Sequence, residues 1–334
     1  MAIQLQSEIR KKLLDAFAGA GEEFVSGQAL AEAAGCSRTA VWKHIEGLRE
    51  EGFILEAVRR KGYRLIEVPA SLTADEIRLG LKTDFIGKTI HYFETVDSTQ
   101  KIAHSLAGES APDGTVVIAN EQSSGRGRMD RKWHSPSGTG IWMSLIVRPD
   151  IPLQKAPQLT LLTAVAVVRA IAAATGLQPE IKWPNDILAN GKKLTGILTE
   201  LQAEADRIHS VIIGIGINVN QLASDFPDEL KELATSVALE TGTEQSRAGL
   251  IREFCLQFER LYVLYLEQGF HPIKLLWESY AKGIGGPIKA RTYNGTIEGT
   301  ALGITEDGVL QIEDLNGKIH SIYSADIELP SISS

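Results

Sequence analysis

The sequence predicts a multidomain α+β protein: a helical N-terminal module, a central α/β domain and a small all-β tail. Three observations predict it. At 334 residues the chain is too long for one ordinary domain. The period of its apolar residues changes twice, near residue 69 and near residue 284. Its composition, 43% hydrophobic and 23% charged, is that of a folded soluble chain and excludes a disordered or collagen-like one. The expected domains are therefore 1–68, 69–283 and 284–334.

In the first module Ile9, Leu13, Leu14 and Phe17 recur at helical spacing over 7–18. Ser26 is placed to cap a short helix that Gly35 ends, and Ser37 to cap a second, whose apolar face is Val41, Ile45 and Leu48. Gly52 stops that helix. Two extended pieces, 53–58 and 63–68, flank Arg59-Arg60-Lys61-Gly62, a hairpin turn. Helix, helix, turn, helix, hairpin is the order of a winged helix-turn-helix. Pro69 and Ser71 mark its end.

The middle of the chain alternates. Strands are expected at 90–93, 115–121, 141–147, 182–189, 194–201 and 211–219, with Asn190-Gly191 as a hairpin turn. Residues 159–175 are apolar nearly all round and read as a buried helix. The apolar stretch is too short to span a bilayer and carries Arg169, so no membrane partner is expected. Helices follow at 247–268 and 272–281. Turns at Asn294-Gly295, Asp307-Gly308 and Asn316-Gly317 then punctuate the β tail.

The net charge of −8 excludes a global nucleic-acid binder, so any such contact must come from a local patch. Residues 1–68 hold as many acids as bases. Their bases nevertheless gather at the opening of the second helix and on the hairpin. Ser37, Arg38, Thr39, Lys43 and His44 stand where base edges would be met, and Arg59, Arg60 and Lys61 where phosphates would be. A protein-docking module is the competing reading. Only Cys36 and Cys255 are present, and the N-terminus lacks a secretory pattern, so a cytoplasmic location is expected.

The chemistry centres on Gln122-Ser-Ser-Gly-Arg126-Gly127-Arg128-Met-Asp-Arg131-Lys132-Trp133. Glycines let the backbone approach a ligand, and four cations within seven residues suit an anion such as a nucleotide phosphate. There is no Walker lysine motif, so this is not a P-loop enzyme. Three further segments accompany the loop. Asp97-Ser98-Thr99-Gln100 is a polar cluster that also suits a helix cap. Lys182-Trp183-Pro184-Asn185-Asp186 ends a strand with a lysine, a position usually solvated. Gly214-Ile-Gly216-Ile-Asn218 lacks the third glycine and following helix of a dinucleotide fingerprint, and close strand packing is the plainer reason for its glycines.

In this order and spacing the four segments, with the winged helix before them, resemble the bacterial biotin protein ligases that double as repressors of the biotin operon. The resemblance covers nearly the whole chain. It implies a central domain of the class II synthetase type and an SH3-like C-terminal barrel. It also implies two steps, in which biotin and ATP give biotinyl-5′-AMP and a lysine of a biotin carboxyl carrier domain then takes the biotin. Mg²⁺ would accompany ATP, with ligands that the sequence does not name. By the same resemblance Ser98, Thr99, Gln100, Gln122, Arg126, Gly127, Arg128 and Lys182 bind biotin. Arg131, Trp133 and Asn218 serve the nucleotide. Lys182 and Arg128 stabilise the charge that gathers in the reaction. Asp130 departs from the family loop, which often has glycine there, and would dilute its positive charge. The further partners implied are operator DNA and a second copy of the chain, pairing through the strand 193–201 at a sheet edge and favoured by biotinyl-AMP. The competing readings are a ligand-responsive repressor with a non-catalytic ligase domain, and a lipoate-type ligase.

Overall fold

The computed structural model describes residues 2–50, 52–67, 72–204 and 207–329, without the side chains of 2–7 and 130. The boundary read at Pro69 and Ser71 and the side chain of Asp130 lie outside the described residues. The chain divides into two compact units, Met1–Lys82 and Thr83–Ser334.

In the first unit α1 (Ala2–Ala20) buries Leu13, Leu14 and Phe17. Helix α2 (Gly27–Ala34) starts where the Ser26 hydroxyl accepts a hydrogen bond from the Ala29 N–H at 3.0 Å, and ends at Gly35 in the left-handed region. Helix α3 (Arg38–Glu50) starts the same way, the Ser37 hydroxyl accepting from the Ala40 N–H at 3.2 Å, and buries Val41, Ile45 and Leu48. Strands β1 (Ile54–Val58) and β2 (Gly62–Glu67) form an antiparallel hairpin. Gly62 is required there. Its φ is 110°, and a Cβ would fall 2.1 Å from the Val25 carbonyl, which bonds to Tyr63. The unit runs past residue 68 because α4 (Ala74–Arg78) returns to it. Arg10 on α1 pairs with Asp75 at 2.5 Å, and Ile77 is fully buried.

The second unit is built on a seven-stranded sheet. Strand β3 (Ile90–Val96) connects through α5 (Thr99–Gly108) to its parallel neighbour β4 (Thr115–Gln122). Strand β5 (Gly140–Val147) and helix α6 (Ala156–Thr175) follow. The single strand expected at 182–189 is two strands, β6 (Glu180–Lys182) and β7 (Asp186–Ala189), separated by Trp183, Pro184 and Asn185 with a cis Trp183–Pro184 bond. The long pair β8 (Lys192–Glu204) and β9 (Arg207–Asn218) completes the sheet in the order β3-β4-β5-β9-β8-β7-β6. Helices α7 (Val237–Thr241), α8 (Arg247–Gln268) and α9 (His271–Tyr280) come next. Helix α6 is long and apolar enough to cross a membrane, yet it packs between the sheet and α8 with its apolar residues buried, as a core helix does.

Strand β8 is not an edge strand along its length. From Lys192 to Gly196 it pairs with β7, with Ala234 on the other side of Lys193 and β9 joining at Thr195, and beyond Gly196 its strand partner is β9. Its alternation is two-sided. Ile197 is buried, and Thr199 accepts a 2.7 Å hydrogen bond from Thr160 of α6, while Gly196 and Leu198 face the opposite side.

A buried carboxylate anchors the start of this unit. Glu259 on α8 is 8% exposed and accepts hydrogen bonds from the N–H groups of Asp84, Phe85 and Ile86 at 2.7, 2.9 and 2.9 Å. Glu259→Gln keeps the shape but turns an acceptor into a donor facing backbone N–H groups. It is expected to cost about 2 kcal/mol of unfolding free energy. Denaturant titration measures it, and a midpoint unchanged from wild type would contradict the anchoring role.

The tail forms a five-stranded antiparallel sheet of β10 (Pro287–Thr292), β11 (Gly295–Ile304), β12 (Leu310–Asp314), β13 (Ile319–Ile322) and β14 (Asp326–Glu328), with β14 returning beside β10. It does not stand apart from the central sheet. The Gln158 amide donates to the Glu306 carbonyl at 2.8 Å, the Trp183 indole to the Gly308 carbonyl at 3.3 Å, and Glu278 receives the Ile304 N–H at 3.2 Å.

Candidate active site

One face of the central sheet, the loop after β4 and strand β14 enclose a cavity of about 690 Å³. All eleven ligand residues expected from the sequence line it: Ser98, Thr99, Gln100, Gln122, Arg126, Gly127, Arg128, Arg131, Trp133, Lys182 and Asn218.

The polar end grows from the start of α5. Asp97-Ser98-Thr99-Gln100 does begin a helix, but the Ser98 side chain makes no capping bond, and Ser98, Thr99 and Gln100 are all buried. Beneath them runs an ordered network. The Gln122 carbonyl oxygen accepts the Thr99 N–H at 2.9 Å, the Thr99 and Ser144 hydroxyls lie 2.8 Å apart, and Ser144 donates to Gln100 Oε1 at 2.9 Å. With Ser144 donating to Gln100, the Thr99 hydroxyl proton is shared between Ser144 Oγ and Gln122 Oε1, 3.2 Å away. The Gln100 amide nitrogen donates to the Ile212 carbonyl at 3.1 Å, and that of Gln122 to the Ser135 hydroxyl at 2.9 Å. Both glutamines therefore fix the shape of the pocket and hold few groups free for a ligand.

The arginine–glycine loop is a small hairpin. Trp133 N–H donates to the Gly125 carbonyl at 2.9 Å, and Gly127 N–H to that of Arg131 at 2.7 Å. Gly125 has no room for a side chain, since a Cβ would sit 2.4 Å from the Trp133 carbonyl. The Trp133 ring lies on bare glycine. Gly196 of β8 and Gly216 of β9 are register partners, and a Cβ on them would fall 2.8 and 2.4 Å from the indole. Gly214 gives the same clearance to Gln100. The close-packing reading of these glycines is thus the structural one, and what they seat is Trp133 and Gln100.

The opposite end is cationic. Arg128 is half-buried and donates to Asn185 Oδ1 at 2.8 Å and Ser324 Oγ at 2.9 Å. Arg131 pairs with Asp326, and Arg126 with Glu200 at 3.2 Å. The Arg131 guanidinium holds the Asp326 carboxyl below the usual carboxylate range. Lys182 is half-buried on the wall. A second lysine, which the sequence reading passed over, also enters. Lys193 Nζ is 2.6 Å from Asp186 and 5.5 Å from the centre of the Trp133 ring. Asn218 faces the cavity with its amide already used: it donates to the Thr235 carbonyl at 3.0 Å and accepts from Gln221 at 3.3 Å. It shapes the wall more than it offers a contact.

On the first unit Ser37, Arg38, Thr39, Lys43, Arg59, Arg60 and Lys61 are exposed. His44 is half-buried, and burial, with the Arg10 charge beside it, holds its imidazole below its ordinary pKa. Trp42, 53% exposed on the same face of α3, was not anticipated.

Family models match the chain in three places: an HTH domain over residues 10–64, the biotin/lipoate A/B protein ligase family over 92–218 and the biotin protein ligase C-terminal domain over 283–329. The bifunctional ligase/repressor BirA of Bacillus spizizenii is 62% identical over 97% of this chain and 100% of its own length. That of Escherichia coli is 30% identical over 93% of this chain and 95% of its own. Among solved structures, the biotin protein ligase of Aquifex aeolicus in complex with biotin and ATP superposes with a TM-score of 0.63 at 30% identity, covering 72% of this chain and 99% of the other. From helix-turn-helix to C-terminal sheet, the chain belongs to the biotin protein ligase family.

Proposed function

We propose that this protein activates biotin with ATP, transfers it to a lysine of biotin carboxyl carrier domains, and represses biotin genes in response to the adenylate. One observation carries the reading. Residues from four separated segments converge on a single cavity with a neutral polar end at Ser98 and Thr99 and a cationic end at Arg128, Arg131, Lys182 and Lys193. A neutral ureido ring with an acidic tail fits that polarity, and the polyphosphate of ATP fits beyond it. In the first step a carboxylate oxygen of biotin bonds to the α-phosphorus, and the bond to the β-phosphate oxygen breaks as pyrophosphate leaves. The acceptor amine then attacks the acyl carbon, loses a proton and releases AMP.

We assign the two lysines to different parts of the substrates. Lys193 lies against Trp133 on the cavity floor, whereas Lys182 stands on the side of Asp326 and Arg131. Lys193 therefore serves the biotin carboxylate and Lys182 the phosphates. The loop 125–133, hinged on glycine, excludes water from an anhydride that would hydrolyse in it. Mg²⁺ enters with the nucleotide. The described residues hold no group of three or more His, Cys, Asp or Glu that would cage an ion, and an ion carried by phosphates and water needs none.

The repressor role uses α3 and the β1–β2 hairpin on a half-site of operator DNA, and a palindromic operator calls for a dimer. The open side of β8 beyond Gly196 suits strand pairing between two copies. Charged substitution at Ile197 or Thr199 is not a test of that pairing, because both point into the core on α6. We place the protein in the cytoplasm, where ATP and carrier domains are found.

The direct test is incubation with biotin, ATP and a purified carrier domain, read by mass spectrometry as one biotinyl addition on a lysine. An unmodified acceptor would sink the ligase reading. Removal of residues 1–82, the whole first unit, is expected to abolish operator binding in a DNA-shift assay and leave biotinylation measurable. Operator binding that survived the truncation would remove the first unit from DNA recognition.

A further inference from the structure

The cavity carries six cations (Arg126, Arg128, Arg131, Lys132, Lys182 and Lys193) but also four carboxylates, an unexpected lining for a site that receives a polyphosphate. The loop arginines are treated differently by their neighbours. Arg128 donates to two neutral oxygens, Asn185 Oδ1 and Ser324 Oγ, so its charge still acts on the cavity. Arg131 has its charge cancelled by Asp326, in a two-pronged pair that reaches across 195 residues to the first residue of β14. Both partners are open to water, at 64% and 47% side-chain exposure, so the pair exchanges at little cost.

We propose that Asp326 is the resident counter-anion of the phosphate subsite, replaced on Arg131 by the incoming polyphosphate, so that β14 lets go of the arginine–glycine loop as the nucleotide binds. The geometry requires a choice. A guanidinium gripped on both prongs by a carboxylate cannot offer the same fork to a phosphate. If Asp326 stayed, its negative charge would face the phosphates directly. Glu328, two residues on, does not compete for Arg131, because it pairs with Arg291 at 2.6 Å. The exchange also couples the tail to the catalytic loop: the empty protein is tied at both Arg131–Asp326 and Arg128–Ser324, and the loaded one gives up the first tie.

The inference rests on the adenylating role only for the identity of the anion, so its test uses inorganic pyrophosphate as probe, followed by titration calorimetry on the full chain. Asp326→Asn is expected to bind pyrophosphate about three- to fivefold more tightly than wild type, the scale of one exposed ion pair. Arg131→Ala is expected to bind it more weakly. In the Arg131→Ala background, adding Asp326→Asn is expected to change nothing. Binding by Asp326→Asn that is equal to or weaker than wild type overturns the proposal and makes Asp326 a support for Arg131 in the loaded state. An equal gain in the Arg131→Ala background also overturns it, since that is general relief of negative charge. Asp326→Ala repeats the test without a new amide. Failure of the ligase reading would show separately, as absence of biotin-dependent pyrophosphate release by the wild-type protein.

Discussion

Lys193→Ala is expected to slow biotinyl-AMP formation by at least about 100-fold, because one preorganised charge contact in a closed site is worth roughly 3–4 kcal/mol of transition-state stabilisation. The lysine is preorganised on three counts. Its strand is held on both sides at this point: Lys193 pairs with Leu188 of β7, and on its other side its N–H donates to the Leu233 carbonyl at 2.8 Å while its carbonyl accepts the Thr235 N–H at 3.0 Å. Its ammonium is 2.6 Å from Asp186, and it lies over the Trp133 ring at 5.5 Å. A carboxylate placed on that floor exchanges for Asp186 without movement of the backbone. Lys182→Ala bears on the same reaction from the phosphate side. It is expected to raise the KM for ATP more than that for biotin, whereas Lys193→Ala does the reverse. Biotin-dependent pyrophosphate release, with each substrate varied in turn, separates the two. A Lys193→Ala protein within fivefold of wild type would return the leading role to Lys182.

The two lysines show where the sequence stops being legible. Lys182 stands in Lys-Trp-Pro-Asn-Asp, a segment conspicuous by composition. Lys193 follows Asn190-Gly191-Lys192, and two lysines after a hairpin turn read as a solvated tip. Only the antiparallel return of β8 along β7 brings Lys193 opposite Leu188 and beside Asp186. Local signals were read well wherever they rest on local physics: the caps at Ser26 and Ser37, the left-handed Gly35, and the burial of Val41, Ile45 and Leu48. The opening of α5 was legible as a cap at Asp97-Ser98-Thr99-Gln100, but the helix behind it, whose Ile102, Ala103, Leu106 and Ala107 pack against the sheet, was not drawn. Asp326 and Ser324 carry no motif. They matter because β14 folds back beside β10 and reaches a loop nearly two hundred residues earlier. Gln100 and Asn218 were placed among the ligand residues by resemblance, and both line the cavity, with amides that already donate to backbone carbonyls of neighbouring strands and loops. Neither the commitment of a polar group nor its freedom can be seen before the fold is known.

Gly216→Ala is expected to weaken biotin binding by at least about 100-fold, near 3 kcal/mol, while leaving the protein folded. The methyl group would sit 2.4 Å from Trp133 Nε1, closer than any real contact, and the strand cannot retreat because β9 is held between β5 and β8 along its length. The ring must therefore lift. Its backbone N–H is bonded to the Gly125 carbonyl, and the Arg126–Lys132 bridge stands beside it, so lifting Trp133 displaces the hairpin that carries Arg126, Arg128 and Arg131. Lys193 loses the aromatic face below it at the same time. Stability should change little, because Trp133 covers the sheet from the cavity side and is not among the fully buried residues of the core. Gly196→Ala acts on the same ring from the neighbouring strand, where the clearance is 2.8 Å, and should be milder. The pair is therefore ordered in advance: wild type tightest, then Gly196→Ala, then Gly216→Ala. Titration calorimetry with biotin measures all three, and circular dichroism melts confirm that each is folded. A folded Gly216→Ala protein that bound biotin within fivefold of wild type would mean that Trp133 is free to move without the loop, and its role as the loop's foot on the sheet would be wrong.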